Sequence, residues 1–246
     1  MTAIPPTLAE AVLRFKHVSS DIQEAFEANR PSAVAGQLTP TSLFEAIDQF
    51  LTIATRIDKE QGETAKIYKE DVTQLGDYGM TLMMDLSTWA GQLKLPNARH
   101  DLEVITLAAT DWIVRHHGQI RTLDPIVNAL ANVANRVHDP SELGPLAAFM
   151  GRVIQACSNI IRQDLEKNNP SRPWRVLLVN RGIVATRTHD PALMEQVFDE
   201  LVKYLPEDAP TFFAEGMQQM EALNYPPPVR VVMGRYFDRW TRPRMH

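Results

Sequence analysis

The chain has 246 residues, of which 44% are hydrophobic and 22% are charged. This composition excludes extended disorder and allows a substantial buried core. The formal net charge of −5 argues against a dedicated nucleic-acid-binding protein, because phosphate contacts need a basic surface. The single cysteine, Cys157, excludes an internal disulfide and a zinc site built from several thiolates.

The chain also lacks the sequence features of secreted and membrane proteins. Its first residues do not combine the basic start and the apolar core of a signal peptide. No uncharged apolar run approaches the roughly 18 residues that a membrane span requires. We therefore expect a cytoplasmic protein with no membrane partner.

Apolar residues recur at steps of three and four along the first 95 residues, which predicts helices. Thr7 is expected to cap a first helix, and Thr39 to open a second one. A shorter third helix is predicted from the apolar residues between Ile67 and Leu75. A fourth helix is predicted to follow Gly76 and Gly79.

From residue 96 onward, helix boundaries are marked more regularly. A helix is predicted to begin at Asp101 and to run to the Arg-His-His of residues 115–117, with Gly118 as its stop. Three Asp-Pro dipeptides each predict a helix start, because Asp accepts unpaired backbone N–H groups and Pro needs no donor at the first helical position. These dipeptides are Asp124-Pro125, Asp139-Pro140 and Asp190-Pro191.

The sequence therefore predicts an all-α protein of about eleven helices, joined by short loops that make sequential helices antiparallel neighbours. One architecture is an α-solenoid of helical hairpins, similar in style to tetratricopeptide or HEAT arrays, although neither consensus is present. The other is a large helical bundle. We predict an N-terminal helical bundle over residues 1–95 and a region of helical-hairpin repeats over residues 96–246, with one continuous domain as the alternative.

Two stretches of the second region resemble each other. "NVANRVHDP", which ends at Pro140, and "IVATRTHDP", which ends at Pro191, are identical at six of nine positions and lie 51 residues apart. The apolar residues that follow keep the same spacing, which is that of one buried helical face. They are Leu143, Leu146, Ala147 and Met150 in the first stretch, and Met194, Val197, Phe198 and Leu201 in the second. This similarity predicts a 51-residue structural repeat.

Three His-Asp pairs raise the alternative of an all-helical metal-dependent hydrolase: His100-Asp101, His138-Asp139 and His189-Asp190. Such a site needs its ligands on adjacent helices around an interior cavity. Each Asp instead lies at a predicted helix start, where its carboxylate accepts backbone N–H groups. We therefore expect capping residues and no metal ligands here, and we predict neither catalytic residues nor a cofactor.

Other chemically interesting residues have ordinary structural interpretations. Cys157 keeps step with apolar neighbours, which predicts an inert core thiol. His116 and His117 diverge by about 100° around a helix and are expected to cap its C-terminus. A methionine cluster is expected in the core, with a pliable binding groove as the alternative. Its members are Met80, Met83 and Met84.

The C-terminal segment differs from the rest of the chain in charge. Residues 230–244 contain five Arg and one acidic residue, whereas residues 1–100 contain 9 Lys/Arg and 13 Asp/Glu. Arginine pairs with carboxylate or phosphate groups, and aromatic residues add stacking. The pattern predicts a closing helix with a solvated basic face, and the functional alternative is an anion or acidic-partner site. The binding residues predicted for that site are Arg235, Arg239, Trp240 and Arg242.

These observations predict a non-catalytic scaffold or adaptor that binds another protein, rather than an enzyme. An acidic partner fits the C-terminal arginines, and the acidic N-terminal half of the same protein, including that of a neighbouring subunit, competes for this basic end. Anion or nucleic-acid binding through the same arginines is a further alternative, although the net charge disfavours nucleic acid.

Overall fold

The computed structural model describes residues 4–29, 31, 37–60 and 69–241. These residues form eleven helices and no strand, so the predicted all-α fold is confirmed. In the same ranges, no helix has the combination of length and apolarity that crossing a membrane requires. The helices are α1 Leu8–Asn29, α2 Pro40–Glu60, α3 Lys69–Gln92, α4 Pro96–Arg115, α5 Asp124–Arg136, α6 Pro140–Ala156, α7 Asn159–Arg162, α8 Pro173–Arg187, α9 Pro191–Tyr204, α10 Ala209–Ala222 and α11 Pro227–Thr241.

The first two helices begin where the sequence predicts. The backbone N–H of Glu10 donates to Thr7 Oγ1 at 3.2 Å, and that of Ser42 donates to Thr39 Oγ1 at 3.4 Å. Each hydroxyl therefore satisfies one of the backbone donors that a helix leaves without an internal partner.

The predicted break between a third and a fourth helix is wrong. Residues 69–92 form the single helix α3, which runs through Gly76 and Gly79; Ile67 and Tyr68 lie outside the described residues. An added Cβ at Gly76 would lie 2.6 Å from Ile113 Cδ1, and one at Gly79 would lie 2.7 Å from Phe50 Cε2. The two glycines therefore allow close helix packing and do not end a helix.

The predicted start of the next helix is also wrong. Helix α4 begins at Pro96, so Asp101 lies in its second turn and forms an ion pair with Arg14 of α1. Proline with its fixed φ is itself favoured in the first turn. The predicted end is confirmed, but the residue in the left-handed region is His117, with φ 58°, and the Gly118 N–H donates to the Ile113 carbonyl at 2.9 Å.

Contacts divide the chain into two compact units. The first comprises Met1–Asn132 and Gln155–Asp164, and the second comprises Val133–Ile154 and Leu165–His246. The boundary predicted at residue 95 falls inside the first unit, between α3 and α4, and the predicted domain assignment stays a prediction.

The first unit contains a four-helix bundle. Helix α1 packs on α2, α2 on α3, α3 on α4, and α4 on α1. Phe26 and Trp89, near the C-termini of α1 and α3, stack edge to face with ring centroids 5.3 Å apart. Asp58 and Arg115, near the C-termini of α2 and α4, form an ion pair. The diagonal pairs α1/α3 and α2/α4 therefore each bring their C-terminal ends together.

The second unit has its own hydrophobic core. Helix α8 packs on α9, α10 on α11, and α11 on α9. Aromatic rings of these helices meet edge to face, with 5.2 Å between the centroids of Phe198 and Phe213 and 5.2 Å between those of Phe198 and Tyr236. This core holds one side of α11 in place and leaves the other side to solvent.

Candidate functional site

Helix α11, which carries most of the predicted binding residues, has a buried and an exposed face. Its buried face consists of Val229, Val232, Met233 and Tyr236, each at most 7% exposed. On the opposite face Val231 is 68% exposed, and an added Cβ at Gly234 would meet nothing within 4 Å. Residues three, four, seven and eight positions apart share one side of a helix. We call this side the α11 stripe; it comprises Val231, Gly234, Arg235, Asp238 and Arg239.

Tyr236 anchors α11 to α9. Its hydroxyl lies 2.7 Å from Asp199 Oδ1 and 3.2 Å from the Glu195 carbonyl oxygen. Burial and the hydrogen bond to Asp199 raise the pKa of Tyr236 above its ordinary value, so the phenol keeps its proton and remains a donor. The α11 stripe is therefore held in a defined orientation.

Arg235 pairs with an acidic side chain of its own unit. Its guanidinium forms an ion pair with Glu195 of α9, and this pair raises the pKa of Arg235. The two side chains are 57% and 45% exposed. An ion pair so exposed to water contributes little stability, so Glu195 does not bind Arg235 strongly.

The other predicted binding residues differ in their surroundings. Arg239 is exposed and has no ion-pair partner among the residues that the structure describes. Trp240 is partly buried against the core of the second unit, and its Nε1 finds no acceptor within the described part of the chain. Arg242 lies outside the described residues.

Two of the three His-Asp pairs cap helices as predicted. Asp190 accepts the backbone N–H groups of Ala192 at 2.9 Å and Leu193 at 3.3 Å at the start of α9. Asp139 accepts that of Ser141 at 2.9 Å at the start of α6. The adjacent histidine of each pair is exposed. Both carboxylates are therefore bound to backbone donors.

The third pair does not cap a helix. Asp101 binds Arg14 inside the bundle, and His100 Nδ1 lies 3.5 Å from Glu103 Oε2 one turn along α4. Among residues 4–29, 31, 37–60 and 69–241, no group of three or more His, Cys, Asp or Glu side chains is arranged to hold a metal ion.

The two similar stretches adopt the same local structure. Each ends one helix, makes a turn and begins the next, from α5 to α6 and from α8 to α9. The eight apolar residues that were predicted to face the core after these turns are at most 2% exposed. The spacing inferred from the sequence is therefore correct, while the 51-residue repeat as a structural unit stays a prediction.

The C-terminal ends of α2 and α4 carry a charged cluster that sequence reasoning missed. His116 Nε2 lies 2.6 Å from Asp58 Oδ1, and the Arg115 guanidinium binds both oxygens of Asp58 at 3.0 Å. Arg115 also donates to Asp111 at 2.7 Å. Burial tends to raise the pKa of Asp58, but the hydrogen bonds from Arg115 and His116 lower it below its ordinary value.

The structure also locates the remaining residues of interest. Cys157 is 3% exposed, and burial raises the pKa of its thiol to about 12, so the thiolate is scarce at neutral pH. Met80 and Met83 are 1% exposed and lie in the core, whereas Met84 is 40% exposed. A methionine-lined groove would therefore have Met84 as its accessible member.

Described residues of the first unit line hollows at the ends of α1 and α2. One of about 550 Å³ lies between the end of α2 and the start of α3, with Ile57, Val72 and Leu75 in its wall. Another of about 410 Å³ lies at the end of α1 and is lined by Gln23, Phe26, Glu27 and Pro31. The second hollow therefore combines an aromatic ring with a carboxylate.

No family model, curated protein or solved structure matches this chain. The function proposed for this protein therefore rests on the chemistry of its own residues.

Proposed function

We propose that the protein is a non-catalytic helical scaffold that binds an acidic protein segment through the α11 stripe. One observation carries the proposal. Helix α11 is held by a buried face, while its exposed face presents Arg239 without an ion-pair partner in the described ranges and Val231 at 68% exposure. A charged group beside an apolar group on a fixed helix is suited to protein recognition.

The α11 stripe carries two arginines and one acidic residue, Asp238, and its net positive charge suits a carboxylate-bearing partner. A guanidinium presents its donors as a planar fork that matches a carboxylate, and such paired hydrogen bonds are stronger than neutral ones. Arg239 is open to this pairing. Arg235 is held by Glu195 in an exposed pair that contributes little stability, and a partner carboxylate can share or replace this pair.

The spacing of the stripe restricts the partner further. Val231, Arg235 and Arg239 succeed one another at intervals of four residues, which is about 6 Å along a helix axis. A complementary segment therefore carries one apolar side chain and two carboxylates over a length of about 12 Å. Because the backbone of α11 is already ordered, the conformational entropy lost on this side of the interface is mainly that of the arginine side chains.

Affinity capture from the native host tests the proposal. The wild-type protein and the Arg235→Gln/Arg239→Gln variant are immobilised, and captured proteins are identified by mass spectrometry at low and high salt. Arg230→Gln is the matched control, because Arg230 is exposed on the same helix but lies about 140° around the axis from Arg235.

We expect the wild type and the control to capture the same acidic protein at low salt, and the double variant to lose it. Raising the salt should also release it, because exposed charges are screened beyond about 10 Å at 0.1 M salt. Equal capture by the wild type and the double variant, or capture that salt does not affect, contradicts the proposal.

A further inference from the structure

The second half of α1 presents a surface opposite in charge to the α11 stripe. Asp21, Glu24 and Glu27 are exposed, and none of them forms an ion pair with a described residue. Glu24 and Glu27 are three positions apart and therefore lie on neighbouring turns of one side. Their hydrogen bonds come from neutral side chains of the same helix, from Ser20 at 3.5 Å and from Gln23.

The hollow beside these carboxylates has the chemistry of an arginine site. Phe26 supplies an aromatic ring and Glu27 a carboxylate, within a volume of about 410 Å³. A guanidinium stacks on an aromatic face while its N–H groups donate to a carboxylate, so the two groups act on the same side chain. Gln23 donates to Glu27 Oε1, which orients the carboxylate and leaves its second oxygen for another donor.

We infer that the acidic partner of the α11 stripe is α1 of a second copy of this chain, with Arg239 entering the hollow formed by Gln23, Phe26, Glu27 and Pro31. This inference rests on the proposed function of the stripe. Charge complementarity favours this partner, because one chain carries both an arginine and several carboxylates that its described residues leave without an ion pair. The two pairs Arg235/Arg239 and Glu24/Glu27 each span about one helical turn.

Contact between α11 of one copy and α1 of another joins two different surfaces. Such a contact is heterologous, and each copy keeps one stripe and one acidic surface free for further neighbours. The copies therefore assemble head to tail, into a ring if the rotation closes and into an open chain if it does not. Exposed ion pairs contribute modestly, so high protein concentration and low salt favour assembly.

Sedimentation velocity of the purified full-length chain tests this inference. The stripe variant is Arg235→Gln/Arg239→Gln, and the acidic-surface variant is Glu24→Gln/Glu27→Gln. Arg230→Gln and Glu45→Gln are controls, because both side chains are exposed and lie outside the proposed contact. Each protein is measured across a concentration series at 50 mM and 500 mM salt, and the two double variants are also mixed in equal amounts.

We expect the wild type and the controls to form species larger than a monomer at 50 mM salt and to dissociate at 500 mM salt. Each double variant should associate more weakly by about 2- to 30-fold, which is the loss expected from removing two exposed ion pairs. The mixture should form a one-to-one complex, because each variant retains the surface that the other has lost. Larger species in the mixture, or double variants that assemble like the wild type, overturn the inference.

A wild type that stays monomeric at 50 mM salt also overturns the inference. In that case the capture experiment still tests the proposed function. Capture of a different protein that depends on Arg235 and Arg239 would show that the α11 stripe binds another partner. If the wild type neither associates with itself nor captures a protein through the α11 stripe, both the proposed function and the inference are wrong.

Discussion

Replacement of Gly79 by Ala tests why α3 is continuous. An added Cβ at this position would lie 2.7, 2.8 and 3.0 Å from three atoms of the Phe50 ring. Carbon atoms in ordinary contact are about 3.5–4.0 Å apart, so the ring has to move by roughly 0.5–1 Å. Phe50 is 1% exposed and stacks edge to face on Trp112 at 6.1 Å, which leaves it little room for that movement.

The expected free-energy change combines two opposing effects. Alanine favours a helix by about 1 kcal/mol over glycine. Overpacking of a filled core costs about 1–3 kcal/mol. We therefore expect Gly79→Ala to lower the free energy of unfolding by about 1 kcal/mol. Gly91→Ala is the matched control in the same helix, because an added Cβ there meets nothing within 4 Å, and we expect it to stabilise the protein slightly.

Urea denaturation followed by circular dichroism measures both variants. The difference between them cancels the helix-propensity gain and isolates the cost of the contact with Phe50, about 1–3 kcal/mol. The same replacement in a Phe50→Leu background should cost less, because the smaller side chain leaves space. Equal stability of the two alanine variants would refute the close-packing explanation of Gly79.

Two further predictions concern Asp190 and Asp58. Asp190→Ala removes the acceptor of two backbone N–H groups and should lower the free energy of unfolding by about 0.5–2 kcal/mol in urea denaturation; an unchanged value would remove its capping role. Asp58→Asn should destabilise the protein at pH 7, because Arg115 and His116 hydrogen-bond the carboxylate and lower its pKa. Because the pKa of Asp58 is lower in the folded state, its charged carboxylate stabilises the fold at pH values above the ordinary pKa of about 3.9. This stabilisation is lost as the pH falls through the folded-state pKa. The difference between wild type and variant should therefore shrink below about pH 4, and a difference independent of pH would contradict this assignment.

The helix boundaries that could be predicted correctly depend on neighbouring residues. Thr7, Thr39, Asp139 and Asp190 each bind a backbone N–H two or three positions along the chain. Because donor and acceptor are close in sequence, the signal is complete within a few letters. The periodic apolar residues after the two Asp-Pro turns were predictable for the same reason.

The wrong helix boundaries lie at positions where residues far away in the sequence determine the local structure. Gly76 and Gly79 weaken a helix locally, but Ile113 and Phe50 need the space that the missing Cβ atoms leave. Asp101 is a residue type that is favoured at helix starts, but the chain is already helical from Pro96 onward. Local propensity alone does not determine which of two adjacent signals starts the helix.

The charged cluster at the ends of α2 and α4 could not be predicted from spacing. His116 and Asp58 are 58 positions apart, and Arg235 and Glu195 are 40 apart. These pairs exist because helix packing brings the elements together, and the spacing of residues along the sequence does not reveal which helix ends meet. The net charge of the C-terminal segment was visible in the sequence, but which of its arginines was already paired was not.

Polar groups that are paired within their own unit differ in function from those that are not. Polar groups with a partner in their own unit contribute to the fold; examples are Asp190 at a helix start and Tyr236, which donates to Asp199. Binding a ligand to such a group would first break an existing contact. A charged group on a fixed element without such a partner loses no contact on binding. Arg239 meets this condition among the described residues, while the buried face of α11 fixes its position. A carboxylate that binds Arg239 would therefore gain a charge-assisted contact without breaking one in the fold, which is the physical reason for proposing recognition at the α11 stripe rather than at the His-Asp pairs.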